Sequence, residues 1–510
     1  MNIKKYSFLA AICLSTLAQA QQIAPSDIMR YNESDMNGTA RFRGMSGAFG
    51  ALGGDLSALK INPAGSAIFN YNTAAFSLSY NHKNNKTNYL GSTGKENYSG
   101  IDLGQMGAAF VFNSNNKDAV VRKFTIGLNY ENTKSLRNDT YFQGYNSNAN
   151  LGDYFFSAAT KEHVPLSIVK GRYNNHVDNY IDARQYYGTN GQEAYLGYQS
   201  GIFIADDNGN YIKNYNNAGG AIQSRYNSTS GYIGKFSGNF GMQLGDRIYV
   251  GSNLNISAVD YTQNSSSREF LKNPTDDKPL QSIDFNNYLY TYGTGFSFNL
   301  GIIGNITDNF RAGLAYESPT WYNLKDETMQ TIRTSFINDP QDVYVNPNVV
   351  NLFDSYKITT PSRYTGSLAY IFGKQGLLSV DYSIKDYTQN KFKPTSDPVY
   401  SYMNNILKSD MQAASELRIG GEYRIKQVSL RGGYRYEQSP YKTNKVVGDL
   451  NSFSMGLGFD FGGSRLDLSY THAARDYQTS LLDLTNNDLF PNATNRMKEN
   501  SINLTYNIHF

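Results

Sequence analysis

The sequence predicts an all-β fold, a transmembrane antiparallel β-barrel of about fourteen strands with an N-terminal plug inside its lumen. Three observations carry this. In residues 501–510, Ile502, Leu504, Tyr506, Ile508 and Phe510 share one parity, and Ser501, Asn503, Thr505, Asn507 and His509 share the other. Strand side chains alternate between two faces, so this segment has one apolar face suited to lipid and one polar face. Similar alternating segments recur from about residue 72 onward, and the connections between them fall into a short and a long class. Finally, 42 Tyr and 28 Phe against a single Trp supply apolar contact, while no run after the first twenty residues approaches the roughly 18 apolar residues of a membrane helix. The mean hydropathy of -0.52 does not oppose a barrel, because half of each strand is polar.

The elements follow in chain order. Lys4 and Lys5, the apolar residues 6–17 and the small-x-small sequence Ala18-Gln19-Ala20 read as a secretory leader over residues 1–20. The only cysteine, Cys13, lies within it, so a mature chain beginning at Gln21 has no disulfide, thiolate metal site or cysteine nucleophile. Residues 21–72 precede the first strand, and within them residues 40–65 are rich in Gly and Ala. Small residues permit close packing, which suits a plug folded inside a tube. They do not form a nucleotide loop, because no strand precedes them and no Gly-Lys-Ser/Thr follows. Asn62-Pro63 offers a turn in which proline fixes one dihedral and the Asn side chain can bond nearby backbone.

The barrel domain is read over residues 73–510, with strands near 73–83, 104–113, 121–133, 230–243, 247–261, 289–304, 308–318, 362–372, 376–388, 413–425, 428–438, 450–462, 464–476 and 498–510. Short turns such as Gly245-Asp246 and Gly373-Lys374-Gln375 alternate with long loops at 134–229, 262–288, 319–361 and 389–412. In outer-membrane barrels short turns are periplasmic and long loops extracellular, which puts both ends of the mature chain in the periplasm and requires an even strand number. Charge must face the lumen, because Arg or Lys on the lipid face costs about 2–4 kcal/mol at mid-bilayer. Thus Arg431, Arg435 and Glu437 point inward while Leu430, Tyr434 and Tyr436 point out, and Glu416, Arg418, Glu422 and Arg424 share the inward parity of the preceding strand. Within the first long loop, residues 201–213 read as a hairpin turning at Asn208-Gly209. Its Asp206, Asn208 and Asn210 imitate a calcium loop but lack the glycine and glutamate at the required positions. Trp321–Phe336 and 402–415 are read as short helices over the barrel mouth.

The pattern Arg43-Gly44-Met45-Ser46-Gly47-Ala48, then Asp55, then Asn62-Pro63-Ala64-Gly65, resembles the amino-terminal hatch of the FadL family of outer-membrane transporters of long-chain fatty acids and other hydrophobic compounds. Where that family often carries paired aspartates, this chain has Gly54-Asp55. Residues 313–319, 378–383, 430–436 and 466–471 resemble strand segments of the same family, so the likeness spans most of the mature chain. The resemblance implies a fourteen-stranded barrel with a luminal hatch, in the outer membrane of a Gram-negative bacterium. It implies passive uptake of a hydrophobic molecule that binds beneath extracellular loops and leaves sideways through the barrel wall at a kink in the third strand. It makes Asp55, Asn62, Pro63 and Ala64 hatch-positioning residues. In the candidate third strand, residues 121–130, Gly127 is the position for a bend, against the alternative of a glycine packed on an aromatic neighbour. Arg431 and Arg435 would either hold a substrate carboxylate or pair with Glu416, Glu422 and Glu437. The expected partners are a hydrophobic solute, outer-membrane lipid and the barrel-assembly machinery, which would act through the strand ending at Phe510. The barrel is expected to be a monomer without cofactor or metal.

Other classes fit less well. The formal charge of +3 comes with no basic block interleaved with aromatics, which argues against nucleic acid. A TonB-dependent receptor needs a larger plug and about 22 strands. An enzyme needs a nucleophile with histidine and acid support, and His82, His163, His176, His472 and His509 are scattered without such a motif. A general diffusion porin, or a receptor barrel for haem or another ligand contacted by His163 and His176, are the alternatives.

Overall fold

The computed structural model describes residues 24–33, 35–116, 119–483 and 489–510, so the expected leader lies outside the described residues. Fourteen strands form a closed antiparallel ring. They are β1 Thr73–Tyr89, β2 Ser92–Asn113, β3 Val121–Ser135, β4 Ala221–Leu244, β5 Ile248–Leu271, β6 Leu280–Asn305 and β7 Phe310–Glu317, followed by β8 Arg363–Phe372, β9 Gly376–Asp386, β10 Ala413–Ile425, β11 Val428–Glu437, β12 Leu450–Asp460, β13 Ser464–Thr479 and β14 Ala493–His509. β14 closes the ring on β1 in a register running from Thr73 opposite His509 to Asn88 opposite Thr494. On β14, Ile502, Leu504, Tyr506 and Ile508 are exposed to the outside while Ser501, Asn503 and Thr505 are buried in the lumen. The Phe510 ring also faces outward, 6.2 Å from that of Phe110.

Several strands run further than their sequence pattern indicates. β1 and β2 continue to a two-residue turn at Leu90-Gly91, where both residues have positive φ, 48° and 83°, as a tight hairpin of this hand requires. No loop occupies residues 84–103. β4, β5 and β6 likewise extend beyond the apolar band, so residues 221–229, 262–271 and 280–288, expected in loops, are ladder. Above the membrane the outward face meets water, so the apolar alternation fades although the hydrogen bonds continue.

Trp321–Phe336 corrects a helix expectation: it is a strand paired with β6 from Trp321 opposite Phe296 to Phe336 opposite Leu280. Its period is two, with Tyr322, Leu324, Asp326, Ile332 and Thr334 buried. The helix expected near 402–415 is present at Pro398–Asp410, opened by the Asp397 side chain accepting from the Val399 and Tyr400 amides. In the first long loop, a helix at Leu151–Lys161 and a helical hairpin within His176–Gln199, folded at Gly188 (φ 59°, ψ -147°), pack on the barrel rim. Residues 203–213 form the expected hairpin, and its Asp206 carboxylate accepts the amides of Asn208 and Asn210.

Candidate functional site

The hatch fills the waist of the barrel. A short helix at Ala40–Gly44 and 3-10 turns at Leu56–Lys60 and Pro63–Ile68 surround Phe42, Met45, Phe49, Leu52 and Ile61. Asp55 caps the second of these through the Ser57 amide at 2.9 Å and accepts the Thr39 hydroxyl at 2.8 Å, joining the two ends of the hatch. Asn62 is buried and uses both ends of its amide. Its oxygen accepts the Ala64 amide at 3.1 Å, capping the last turn. Its nitrogen faces three carbonyls, Gly50 at 2.8 Å, Ile302 at 3.1 Å and Leu314 at 3.4 Å, so one side chain ties the hatch to itself and to β6 and β7.

The wall receives this motif on a row of glycines. Gly241, Gly251 and Gly301 stand side by side across β4, β5 and β6 on the luminal parity. A Cβ at Gly301 would lie 2.0 Å from the Asn62 oxygen, one at Gly251 2.5 Å from the Pro63 carbonyl, and one at Gly241 2.2 Å from the Ser66 hydroxyl. Only hydrogen on the wall lets the Asn62-Pro63-Ala64 backbone approach so closely. Three strands along the wall from β6, the Asp381 carboxylate of β9 accepts the Phe49 and Gly50 amides at 3.0 and 3.1 Å.

Charged groups complete the seat. Arg431 pairs with Glu422 at 2.7 Å and Asp467 at 2.9 Å, and Arg41 of the hatch reaches the same Glu422 at 3.0 Å. Arg435 pairs with Glu416 at 2.5 Å and Glu437 at 2.8 Å, and Arg475 links Glu437 to Glu33. Both arginines are therefore committed to the internal ion-pair network and not open to a substrate carboxylate.

Above the hatch, the segment running from Pro25 to Asn32 rises into the outer half of the lumen, where Ile28, Met29 and Tyr31 pack among Tyr261, Tyr322, Leu324, Ile358, Phe392 and Met403. Glu33 anchors it across the barrel, to Lys134 of β3 at 2.8 Å and Arg475 of β13 at 3.0 Å. Burial alone would raise the Glu33 carboxyl, but these two cations hold it below its ordinary range. Between this segment and the hatch lies a cavity of about 80 Å³ lined by charged groups including Lys60, Glu131, Lys235, Glu317 and Lys385. That is room for several waters. Lys385 meets no carboxylate at ion-pair distance among the described residues; it donates to the Asn32 carbonyl at 2.8 Å.

The wall changes beside this cavity. The β2–β3 ladder runs from Asn113 opposite Lys123 to Gln105 opposite Glu131 and stops there. Gly104 is the extra residue of a bulge in β2 against β1, and β3 is irregular between Asn132 and Lys134. Beyond that point the chain parts from β2 on the luminal side, while its ladder with β4 continues to Ser135 opposite Tyr232. The inward-pointing Lys83 of β1 donates to the Ser135 and Arg137 carbonyls at 3.0 and 3.1 Å, and Asn85 donates to Asp139 at 2.8 Å. Residues 138–146 then pair with β4 behind the β1–β2 hairpin. The outer part of β2 thus has no ladder partner on this side.

Gly127 is not the bend. It sits in unbroken register between Ala109 and Asn239, facing the hatch, with its hypothetical Cβ 3.5 Å from Leu59. The bend comes where Glu131 and Thr133 turn inward, and the glycine associated with it is Gly104 on the neighbouring strand. Sequence reading also passed over Asp381, Lys385, Glu33 and the glycine row. A legible signal existed for the last: luminal-parity glycines at one level of three successive strands. Of the two loop histidines, His176 bonds the Tyr195 hydroxyl at 2.7 Å and His163 is exposed in a positive-φ turn.

The family model described as outer membrane protein transport protein (OMPP1/FadL/TodX) matches residues 221–508. Among solved structures, a Pseudomonas aeruginosa FadL homologue is similar, with 13% identity and a TM-score of 0.52, covering 93% of this chain and 99% of that one. The Pseudomonas putida toluene transporter TodX is similar at 14% identity and a TM-score of 0.51, with the same coverage. At these identities the likeness is one of fold. No curated protein sequence matches. A barrel closed by β14 on β1, with a hatch seated at its waist, agrees with the match over more than half of the chain: the protein belongs to the FadL/TodX family of outer-membrane transport proteins.

Proposed function

We propose that this barrel takes up hydrophobic molecules passively, without catalysis, holding them beneath the extracellular loops and releasing them sideways between β2 and β3. The observation that carries the reading is the end of the β2–β3 ladder at Gln105 and Glu131, directly beside the cavity above the hatch. The hatch obstructs the axial path, so a solute in the lumen has this seam as its way to lipid. The outer half of the lumen supplies the binding surface, an apolar lining now covered by Ile28, Met29 and Tyr31. The cavity itself favours an amphiphile with an anionic head, such as a long-chain carboxylate. Lys385 can exchange the Asn32 carbonyl for a carboxylate when the N-terminal segment yields, and a charge-assisted bond is the stronger one.

The test closes the seam. Tyr98 and Arg137 meet across it at 3.4 Å, side chain to side chain. With Cys13 in the expected leader, a Tyr98→Cys/Arg137→Cys variant carries the only two thiols of the mature chain. Bridging them with a cleavable bismaleimide is expected to stop uptake of a labelled long-chain fatty acid, and cleavage to restore it. Undiminished uptake through the bridged barrel would refute lateral release. Swelling of proteoliposomes in small sugars would favour a general porin.

A further inference from the structure

We propose a second binding site, on the outside of the barrel: a basic row at the extracellular end of β1, β2 and β14 that binds the phosphates of the anionic glycolipid of the outer leaflet. The row follows from register. Lys86 of β1 stands directly opposite Lys95 of β2 on one side and Arg496 of β14 on the other. Lys498 lies two residues below Arg496, opposite Asn84. All four side chains are exposed on the outward face.

Like charges directly opposite one another in a sheet are unfavourable unless something neutralises them. The protein provides little. The one acid in the row is Asp476 of β13, 3.9 Å from Arg496 with both side chains about half exposed, and among the described residues no acceptor reaches Lys86, Lys95 or Lys498. Two arginines elsewhere on the outer rim do have an acid: Arg268 meets Asp284 at 2.9 Å, and Arg333 meets Asp342 at 3.5 Å. The missing anions must come from the surroundings.

Height identifies their source. The apolar belt ends at one row, Tyr80 opposite Ile101 and Ile502. The next outward row is His82, Ser99 and Asn500, followed by Asn84, Asn97 and Lys498, and then by Lys86, Lys95 and Arg496. Four to six residues of strand correspond to about 13–20 Å along the chain, or roughly 9–16 Å of height at barrel tilt. Long cationic side chains reach back toward the interface from there. The phosphorylated headgroups of the outer leaflet occupy this layer, and Lys and Arg bind phosphate oxygens through charge-assisted hydrogen bonds. The Asn and Ser side chains between the cations offer further donors. The site is independent of the transport reading.

The experiment uses full-length barrel in detergent with diphosphoryl lipid A as the probe, read by native mass spectrometry after chelation of divalent cations. The wild type is expected to retain lipid A. The Lys86→Gln/Lys95→Gln/Arg496→Gln/Lys498→Gln variant, checked for folding by heat-modifiable electrophoretic migration, is expected to lose about tenfold or more in affinity. An Arg268→Gln/Arg333→Gln variant should bind as the wild type does, and dephosphorylated lipid A should fail to bind the wild type. Equal binding by the fourfold variant, equal loss in the control variant, or equal binding of the dephosphorylated lipid would each overturn the proposal. The last comparison needs no variant and stands whatever the fold of the mutant.

Discussion

Replacing Asn62 by Ala tests whether one side chain holds the hatch in its seat. The substitution removes the cap on the Ala64 amide and the donor facing the Gly50, Ile302 and Leu314 carbonyls. Loss of an Asn cap costs about 0.5–2 kcal/mol, and a buried acceptor left without its donor about 1–3 kcal/mol. Together they weaken hatch docking by roughly 2–4 kcal/mol, a factor of about 30 to 1,000 in local opening. The barrel ladders are untouched, so the protein should insert and migrate as a folded barrel. Hydrogen exchange followed by mass spectrometry should show faster exchange at 56–68 with protection of β5 and β6 retained, and single-channel recordings should show ion leakage absent from the wild type. Asn62→Asp sharpens the test. Aspartate caps as well as asparagine, but here it sets a carboxylate against three carbonyls and supplies no donor, so it should be at least as damaging as alanine. If Asn62→Asp behaves like the wild type, the amide donor does nothing and the docking argument fails.

The remaining predictions concern the wall, the cavity and the N-terminal anchor. Gly251→Val pushes a side chain into the Pro63 backbone, where even a Cβ would lie 2.5 Å from the carbonyl; overpacking of about 1–3 kcal/mol should speed exchange at 62–66 before it affects 42–50. Lys385→Gln should weaken binding of a long-chain carboxylate by about tenfold to a hundredfold, the worth of a hydrogen bond to a charged group, and leave its methyl ester unaffected in a fluorescence-displacement titration. Glu33→Gln leaves Lys134 and Arg475 without their shared carboxylate and should free the segment from Pro25 to Asn32, seen as faster labelling of a cysteine placed at Met29. Because the Glu33 carboxyl is held below its ordinary range, this anchor is complete above about pH 4.3 and weakens as pH falls through the lower folded value, so acid should raise labelling of the wild type relative to that of the variant, the loss of thiolate being common to both.

The glycine row explains why the hatch was readable as a plug but not as a docked one. Residues 40–65 announce close packing by their composition, and the Asn62-Pro63 turn announces its cap. What they pack against is contributed by Gly241, Gly251 and Gly301, which are far away in sequence and become a single surface only when β4, β5 and β6 come into register. Arg431 and Arg435 show the same division. Their inward direction follows from parity, but their partners, Glu422, Asp467, Glu416 and Glu437, are assigned by cross-strand register and by the reach of Arg41 from the hatch.

Sequence by itself determined a strand number of about fourteen, the inward and outward faces, the alternation of short turns with long loops, and the place of the hatch before the first strand. Each is a local or periodic property: the cost of charge in hydrocarbon acts residue by residue, so it is written along the chain. The tertiary structure decided where the wall parts. Gly127 has the right residue type on the right strand, yet the ladder passes through it unbroken, and the seam lies where Gly104 bulges on β2 and the chain after Glu131 turns inward to meet Lys83 and Asn85 of β1. A break between strands is a relation among three chain segments, and no single one of them carries its signal.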